Sequence, residues 1–485
     1  MQTQYDLVVI GSGPGGYVAA IRSAQSGLKT AIVEARTVGG MCLNRGCIPT
    51  KTLLHISSLY REMSAGAEEL GIIAKEVSFD AAKVSERKES TVARLREGVE
   101  QLLKANKVDI YQGRGKVLAA GKVLVTGTDP AESNIELQTR TIILAVGAEP
   151  AIPPIPGADL PGVVTSDKLL DDPFARESSA AVDSEVQDLV IIGGGVIGVE
   201  MASVYSDFGK RVTVIESLDR ILNLLDMEIG QSVSLALGKK GVAIHAGATV
   251  SKIVTNGSAG AKALEVFFQK KTGEESVKAA RVLISVGRRS QVKDLFAEGL
   301  NIKMNRGIVV DEHFQTSIPD IYAVGDCVDG TVQLAHFASA QATNAVRHIA
   351  GKSAEIDLSL VPMCIYGNPE IASVGITERV AKDRGIPVKS SKYLMTGNAK
   401  SIVEGQGRGF IKLIFNSETE TLLGAHLMCA RATDIIGELA LAIENKTTAE
   451  KLASFMHPHP TFSEGIGEAV ENLFGKAIHV APKGR

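Results

Sequence analysis

Cysteine is scarce in this chain: five residues (42, 47, 327, 364 and 429) among 485. So few thiols, so widely scattered, exclude the disulfide framework of a small secreted scaffold. An excess of either charge is also lacking. The net charge of −3 gives no sign of the basic surface that nucleic acid or an anionic membrane selects. Long apolar runs are missing too, and none approaches the roughly 18 residues of a membrane span. The first residues lead straight into Tyr5-Asp-Leu-Val-Val-Ile, without the basic, apolar and small-residue order of a signal peptide. No nucleic acid partner and no membrane span are expected, and the compartment reads as cytoplasmic.

What the chain does have is length enough for about three domains and for an ample core. Residues 5–34 read as strand, glycine turn, helix, strand. The apolar run Leu7–Ile10 ends at Gly11-Ser-Gly-Pro-Gly-Gly16, and a second strand, Thr30–Val33, closes at Glu34. Gly11 serves the tight turn, Gly13 lets backbone approach a pyrophosphate, and Gly16 lets the helix pack on the strand. The helix N-terminus then receives phosphate charge, and Glu34 is spaced to hydrogen-bond ribose hydroxyls.

One such motif is weak, but this one repeats. At a constant offset of 182 residues, Asp188, Gly193, Gly195, Gly198, Gly209 and Glu216 stand where Asp6, Gly11, Gly13, Gly16, Gly27 and Glu34 stand. Two βαβ units, each with a dinucleotide site, are therefore expected. Two ordinary turns without ligand are the bland alternative.

Between them lies Gly39–Lys51, with Cys42 and Cys47 five positions apart in a turn-rich stretch. Five residues of regular helix rotate a side chain by about 140°, so a bridge needs an irregular turn, which Gly46 would assist. Pro49 sits early in an apolar-periodic run, a position suited to a helix start. Cys47 would then lie near a helix N-terminus, with Arg45 and Lys51 close in sequence, a setting that favours a thiolate. The pair is a candidate redox disulfide. A structural staple, a zinc half-site, for which His55 stands alone, and two unrelated buried thiols remain as other readings.

The rest divides more coarsely. Ser85–Leu103 reads as an amphipathic helix with Val92, Leu95, Val99 and Leu102 on its apolar side and its charges on a solvated face. Val108–Val146 reads as a β-meander, Ala148–Gly162 as a proline-rich crossover, and Asp171–Asp188 as exposed connection. Val242–Leu283 alternates strands and turns. Ile284–Arg288 and Ile321–Asp326 are apolar strands ending in glycine and a polar residue; Asp326 could bind a sugar-like chain or simply belong to a turn. Leu334–Ile349 reads as a helix. Strands Phe410–Phe415 and Leu422–Leu427 and helices Asp434–Ile443 and Glu464–Phe474 follow. His457-Pro-His-Pro-Thr-Phe-Ser-Glu464 places two histidines where proline fixes the backbone, with Glu464 able to orient His459. A capping box, Thr461 to Glu464, would open the last helix, and a plain surface loop is the competing reading.

In this order, these elements resemble the FAD-dependent pyridine nucleotide–disulfide oxidoreductases over essentially the whole chain. The resemblance implies an α/β fold. Two Rossmann-like dinucleotide-binding domains (1–160 for FAD with the redox disulfide, 161–290 for NAD) precede a central domain (291–360) and a C-terminal α+β dimerisation domain (361–485). It implies that Cys42 and Cys47 form the redox pair, that His459 is the base, and that Glu464 holds it. Glu34, Lys51, Gly115, Asp326 and Ala335 would contact FAD, with Lys51 paired to Glu200. Val250 and Gly287, with Gly193–Gly198 and Glu216, would serve NAD. The activity implied is reoxidation of protein-bound dihydrolipoamide by NAD⁺. The partners implied are a second copy, in a homodimer, and the lipoyl domains and E2 core of 2-oxoacid dehydrogenase complexes or the glycine cleavage H protein.

Two residues depart from the family pattern: Met41 stands where threonine is common, and Thr50 where serine is. Ser217 and Leu218, where NADPH-using relatives such as glutathione reductase carry arginine, favour NAD. The ending Ala-Pro-Lys-Gly-Arg lacks the cysteine pair of mercuric reductases. A non-thiol flavoprotein that signals by binding FAD and NADH would leave both the cysteines and the histidines without work.

Overall fold

A computed structural model describes residues 3–127, 134–174, 187–256 and 263–481. The expected connection Asp171–Asp188 lies largely outside the described residues. Three large sheets organise the described residues, and a two-stranded one pairs Ala148–Pro150 with Arg288–Ser290.

The first sheet has strands in the order Asp109–Gln112, Thr30–Glu34, Thr3–Ile10, Ile135–Leu144, Lys122–Thr126 and Arg114–Ala119. The first four are parallel, and the last two fold back antiparallel as the expected meander. Thr3–Ile10 is central, so Leu7, Val8 and Val9 are buried on both faces, which is why its sequence is a continuous apolar run. The second sheet repeats this order with Ala243–Ala246, Val212–Glu216, Gln187–Ile192, Gly273–Ile284, Ala263–Lys270 and Thr249–Asn256. Each sheet also takes one short parallel strand from a distant part of the chain. Ile321–Ala323 joins the first sheet after the second is complete, and Val163–Thr165 joins the second before it begins. The chain thus crosses between the two units twice.

Helix α1 (Pro14–Gln25) follows the first glycine turn. Helices α2 (Gly40–Arg45) and α3 (Cys47–Arg61) flank Gly46. Helix α4 spans Ala81–Ala105 and starts earlier than its apolar pattern suggests, because the Asp80 carboxylate caps the N–H groups of Ala82 and Lys83. Its expected apolar side is only half right. Val92 and Val99 are buried, but Leu95 and Leu102 are exposed. Lys88, read as part of a solvated face, is 2% exposed, and its ammonium donates to the Leu170 carbonyl and pairs with Glu89. Helices α5 (Ser166–Asp171), α6 (Val196–Asp207), α7 (Met227–Lys239) and α8 (Ala335–Ile349) complete the two units, with α8 packed along α1.

The third sheet is antiparallel, ordered Met363–Ile365, Ile371–Gly375, Leu422–Met428, Phe410–Asn416 and Val388–Leu394. Helices Ala432–Glu444 and Glu464–Leu473 cover it. One core joins all three parts. Leu53 and Leu54 of α3 pack with Val199, Ala202 and Tyr205 of the second unit and with Ile365, Ile371 and Phe410 of the third sheet. The redox stretch therefore sits on a helix gripped from both sides.

Candidate active site

Cys42 and Cys47 are disulfide-bonded with their Cα atoms 4.7 Å apart. The irregular turn the spacing requires is Gly46, at φ −143° and ψ −106°, which breaks one helix and caps the next. The short helix α2 before the break is absent from the sequence reading, since six residues carry too little periodicity to show. Cys47 is the first residue of α3, so its sulfur lies at the positive end of a 15-residue helix. Arg45 and Lys51 are both engaged elsewhere: Arg45 Nε lies 3.6 Å from Asp171, and Lys51 Nζ donates to both oxygens of Glu200 at 2.9 Å. Asn44, between the cysteines, ties the turn down by donating to the carbonyls of Val38 and Gly40 at 2.9 Å. Of the other thiols, Cys327 and Cys429 are pushed up to about 12 and Cys364 to about 11, all chiefly by burial. They remain protonated near neutrality, so they are poor nucleophiles.

The disulfide opens into a cleft of about 1760 Å³ that runs continuously past both glycine turns. That exceeds the roughly 300–1,000 Å³ of a single-ligand site. The two turns are near copies. A Cβ at Gly11 would meet the Ala145 carbonyl at 2.4 Å, and one at Gly193 the Ser285 carbonyl at 2.6 Å. A Cβ at Gly16 would lie 1.9 Å from the Gly11 oxygen, and one at Gly198 2.0 Å from the Gly193 oxygen. Gly13 and Gly195 are different: the nearest atom to a Cβ is 3.9 Å away in one, and none lies within 4 Å in the other. Each turn is thus closed where helix meets strand and open where a phosphate would approach. The helices α1 and α6 begin there without side-chain caps or early acidic residues, leaving N–H groups for an anion.

The two closing acids are held alike. Glu34 Oε2 accepts from the Ser12 N–H at 2.9 Å and its hydroxyl at 2.6 Å, and Oε1 from the Arg36 N–H at 2.8 Å. Glu216 Oε2 accepts from the Gly194 N–H at 2.6 Å, and Oε1 from the Leu218 N–H at 2.8 Å. A carboxylate has about four acceptor directions, so each retains capacity for ribose hydroxyls. Two dinucleotides fit these residues.

Cys42, Cys47, Glu34, Lys51, Gly115, Asp326, Ala335, Glu200, Glu216, Val250 and Gly287 all line the cleft. Asp326 is half-hidden beside Arg288; burial raises its carboxyl above the ordinary range and the guanidinium works against that. Arg288 donates to the Ala148 carbonyl and also lines the cleft.

The histidines lie elsewhere. Neither His459 nor Glu464 lines the cleft of its own chain. His459 Nδ1 lies 2.8 Å from Glu464 Oε1, and the imidazole is 72% exposed. The His457 imidazole is 7% exposed and pairs with Glu438 at 3.0 Å, so the two histidines differ in kind. The capping box is only half formed. Glu464 Oε2 does accept the Thr461 N–H at 2.7 Å. The Thr461 hydroxyl donates to the Pro458 carbonyl instead of capping, and the helix starts at Glu464. Burial acts to raise the Glu464 carboxyl, but the Thr461 N–H and His459 outweigh it and hold it below the usual range.

Comparison with known proteins agrees with this architecture. Residues 5–342 match the pyridine nucleotide-disulphide oxidoreductase family, and residues 361–470 match the dimerisation domain of the same family. The chain belongs to the pyridine nucleotide-disulphide oxidoreductases, flavoproteins that use FAD and NAD. It is 39% identical to a dihydrolipoyl dehydrogenase of Bacillus subtilis over 99% of this chain and 100% of the relative. It is 39% identical to that of Geobacillus stearothermophilus over 99% of this chain and 98% of the relative. Among solved structures, LpdA from Mycobacterium tuberculosis superposes with a TM-score of 0.84 at 25% identity, covering 97% of this chain and 99% of the other. The HOCl-induced flavoprotein disulfide reductase RclA from Escherichia coli, in its Cu(II) complex, gives 0.82 at 26%, covering 97% and 100%. The dimerisation domain makes a homodimer the assembly. Among the described residues, no helix is long and apolar enough to cross a membrane.

Proposed function

We propose that this chain reoxidises protein-bound dihydrolipoamide with NAD⁺. The observation that carries the reading is the Cys42–Cys47 bridge, set in one cleft with two acid-closed glycine turns. His459, oriented by Glu464, removes a proton from one thiol of dihydrolipoamide. The resulting thiolate attacks Cys42 Sγ; a mixed disulfide forms, the Cys42–Cys47 bond breaks, and Cys47 leaves as a thiolate. The α3 N-terminus favours Cys47 as leaving group, since a stabilised thiolate departs faster. The second substrate thiol then attacks its partner sulfur in the mixed disulfide; the bond to Cys42 breaks, lipoamide closes, and the thiol proton passes to the departing Cys42 sulfur. FAD, which Glu34, Lys51 and Asp326 on the cleft wall would hold, would supply the two-electron acceptor for the Cys42–Cys47 dithiol and the hydride source for NAD⁺.

In this reading residues 1–160 hold FAD and the disulfide, 161–290 hold NAD, and 291–360 complete the FAD site. Residues 361–485 form the dimer. Lys51 carries its charge to the flavin ring, Asp326 binds the flavin's sugar-like chain, and Gly115 and Ala335 border it. Val250 and Gly287 border the nicotinamide cofactor. Because His459 lies away from its own chain's cleft, the base of each site comes from the second copy. The enzyme serves lipoyl domains on the E2 core of a 2-oxoacid dehydrogenase complex, or the glycine cleavage H protein, in the cytoplasm. Parallel assays test the reading: NAD⁺ reduction with dihydrolipoamide should be fast, and NADPH oxidation with glutathione disulfide negligible. The reverse ranking would overturn it.

A further inference from the structure

Lys51 is held by groups that lie far apart in the sequence. Its Nζ donates to both Glu200 oxygens at 2.9 Å, and Glu200 Oε1 also accepts the backbone N–H of Tyr366 at 3.1 Å. The Tyr366 ring then lies against the ammonium, with Nζ 4.8 Å from its centroid. Three parts of the chain meet here: α3, α6 and the turn between strands Met363–Ile365 and Ile371–Gly375. Lys51, Glu200 and Ile365 line the cleft, whereas Tyr366 does not. The aromatic ring touches the lysine from outside the cleft lining.

A Lys ammonium is compact, strongly hydrated and carried on a flexible stem. Lys51 is 30% exposed, so water competes for whatever Glu200 and the ring do not hold. Tyr366 is itself 39% exposed, and an aromatic face attracts a cation even at such a site. The backbone N–H of Tyr366, in turn, fixes the carboxylate that fixes the lysine. We propose that Tyr366 is a positioning residue. Its ring and its backbone N–H together hold the Lys51–Glu200 pair, so that the Lys51 charge stays aimed into the cleft at the flavin. The inference rests on the reading above, in which Lys51 lies at the flavin ring. Its content is electrostatic: a fixed cation favours the more negative, reduced flavin, and a loose, hydrated one favours it less.

The test uses the FAD-loaded dimer in a Cys42→Ser, Cys47→Ser background, which removes the disulfide as an electron acceptor. Each protein is equilibrated anaerobically with a reference dye of known potential, and the reduced-to-oxidised flavin ratio is read from visible absorbance. Tyr366→Leu should lower that ratio roughly three- to tenfold. Tyr366→Phe, which keeps the ring, should stay within about twofold of the parent. Lys51→Met should lower the ratio at least as far as Tyr366→Leu, and adding Tyr366→Leu to it should change nothing more. Should the leucine variant fail to retain FAD, Tyr366→Met gives the same reading with a more adaptable side chain. A shift with Lys51→Met but none with Tyr366→Leu or Tyr366→Met overturns the positioning role and leaves Lys51 at the flavin. An equal shift with Tyr366→Phe overturns it as well, because the ring would not be the active part. No shift with Lys51→Met removes the lysine from the flavin and with it the reading beneath the proposal.

Discussion

Neutralising Glu216 should open the second site to NADP⁺. The Glu216 carboxylate is 8% exposed and fixed on the cleft wall by the N–H groups of Gly194 and Leu218. A 2′-phosphate brought to this acid carries about 1.5–2 negative charges. Two unit charges about 4 Å apart repel by roughly 4 kcal/mol at an effective dielectric near 20. The open cleft admits water and counterions, so about 2–3 kcal/mol of discrimination is expected, roughly 30–150-fold in kcat/KM. Glu216→Gln removes the charge and keeps an acceptor for one N–H; the other loses its partner, which costs about 1–3 kcal/mol. The variant should therefore lose some NAD⁺ efficiency and gain NADP⁺ efficiency, bringing the two within about tenfold. Glu216→Val with Ser217→Arg should carry the preference further toward NADP⁺. Steady-state kinetics with both cofactors decides. A wild type that already uses both equally, or a Glu216→Gln variant with an unchanged ratio, would mean that the Glu216 charge does not set the cofactor preference.

Other predictions concern the assembly, the thiols and the domain contacts. Mixed dimers of Cys42→Ser and His459→Ala chains should recover about half the wild-type activity, since a site built between copies leaves one of two intact in a symmetric dimer; a purified heterodimer as inactive as its parents contradicts the shared site. Cys42→Ser should show a long-wavelength band from the Cys47 thiolate against the flavin, and Cys47→Ser should not; identical spectra remove the ordering of roles. Lys412, 4% exposed, donates to Asp226, Glu228 and Glu378 at 3.1, 2.9 and 2.7 Å and so ties the second unit to the third sheet. Lys412→Met should destabilise the fold by about 3–5 kcal/mol in denaturant melts, because Asp226 would stay buried without its cation. Burial acts to raise the Glu228 and Glu378 carboxyls, but bonds to Lys392 and Lys412 in the first and to Lys412 and Ser390 in the second hold them below 4.5. Their contribution is present above pH 4.5 and lost as pH falls through the lowered values. The variant's deficit should shrink in melts below that pH; a constant deficit denies the coupling.

Much of this site was legible because its signals are local. Gly11–Gly16 and Glu34 lie on one βαβ unit, and their copies at constant offset made the pair hard to mistake. The redox turn was legible for the same reason, as Gly46, Cys47 and Pro49 dictate a helix start within a few residues. Contacts across the chain were not. Lys412 interrupts the otherwise apolar strand Phe410–Asn416, which signals a buried partner, but nothing in the sequence says that the partners are Asp226 and Glu228. Lys88 hid in the same way, because a charged helix gives no sign that one lysine turns inward to cap a distant carbonyl. The Tyr366 contact with Lys51 and Glu200 is of the same kind, since it forms only where the third sheet meets α3 and α6. Glu464 set His459 apart in the sequence, but the pairing of His457 with Glu438 needed the fold.

Anaerobic thiol counting decides whether one disulfide mediates between a dithiol substrate and the nicotinamide cofactor. The oxidised enzyme is treated with one equivalent of dihydrolipoamide, freed of small molecules, unfolded in denaturant with a thiol reagent, and compared with a sample first exposed to NAD⁺. Two thiols per chain should be gained on reduction, mapping to Cys42 and Cys47, and both should be lost again when NAD⁺ is added. A thiol count that dihydrolipoamide leaves unchanged, or new thiols that NAD⁺ cannot remove, would contradict that role of the disulfide.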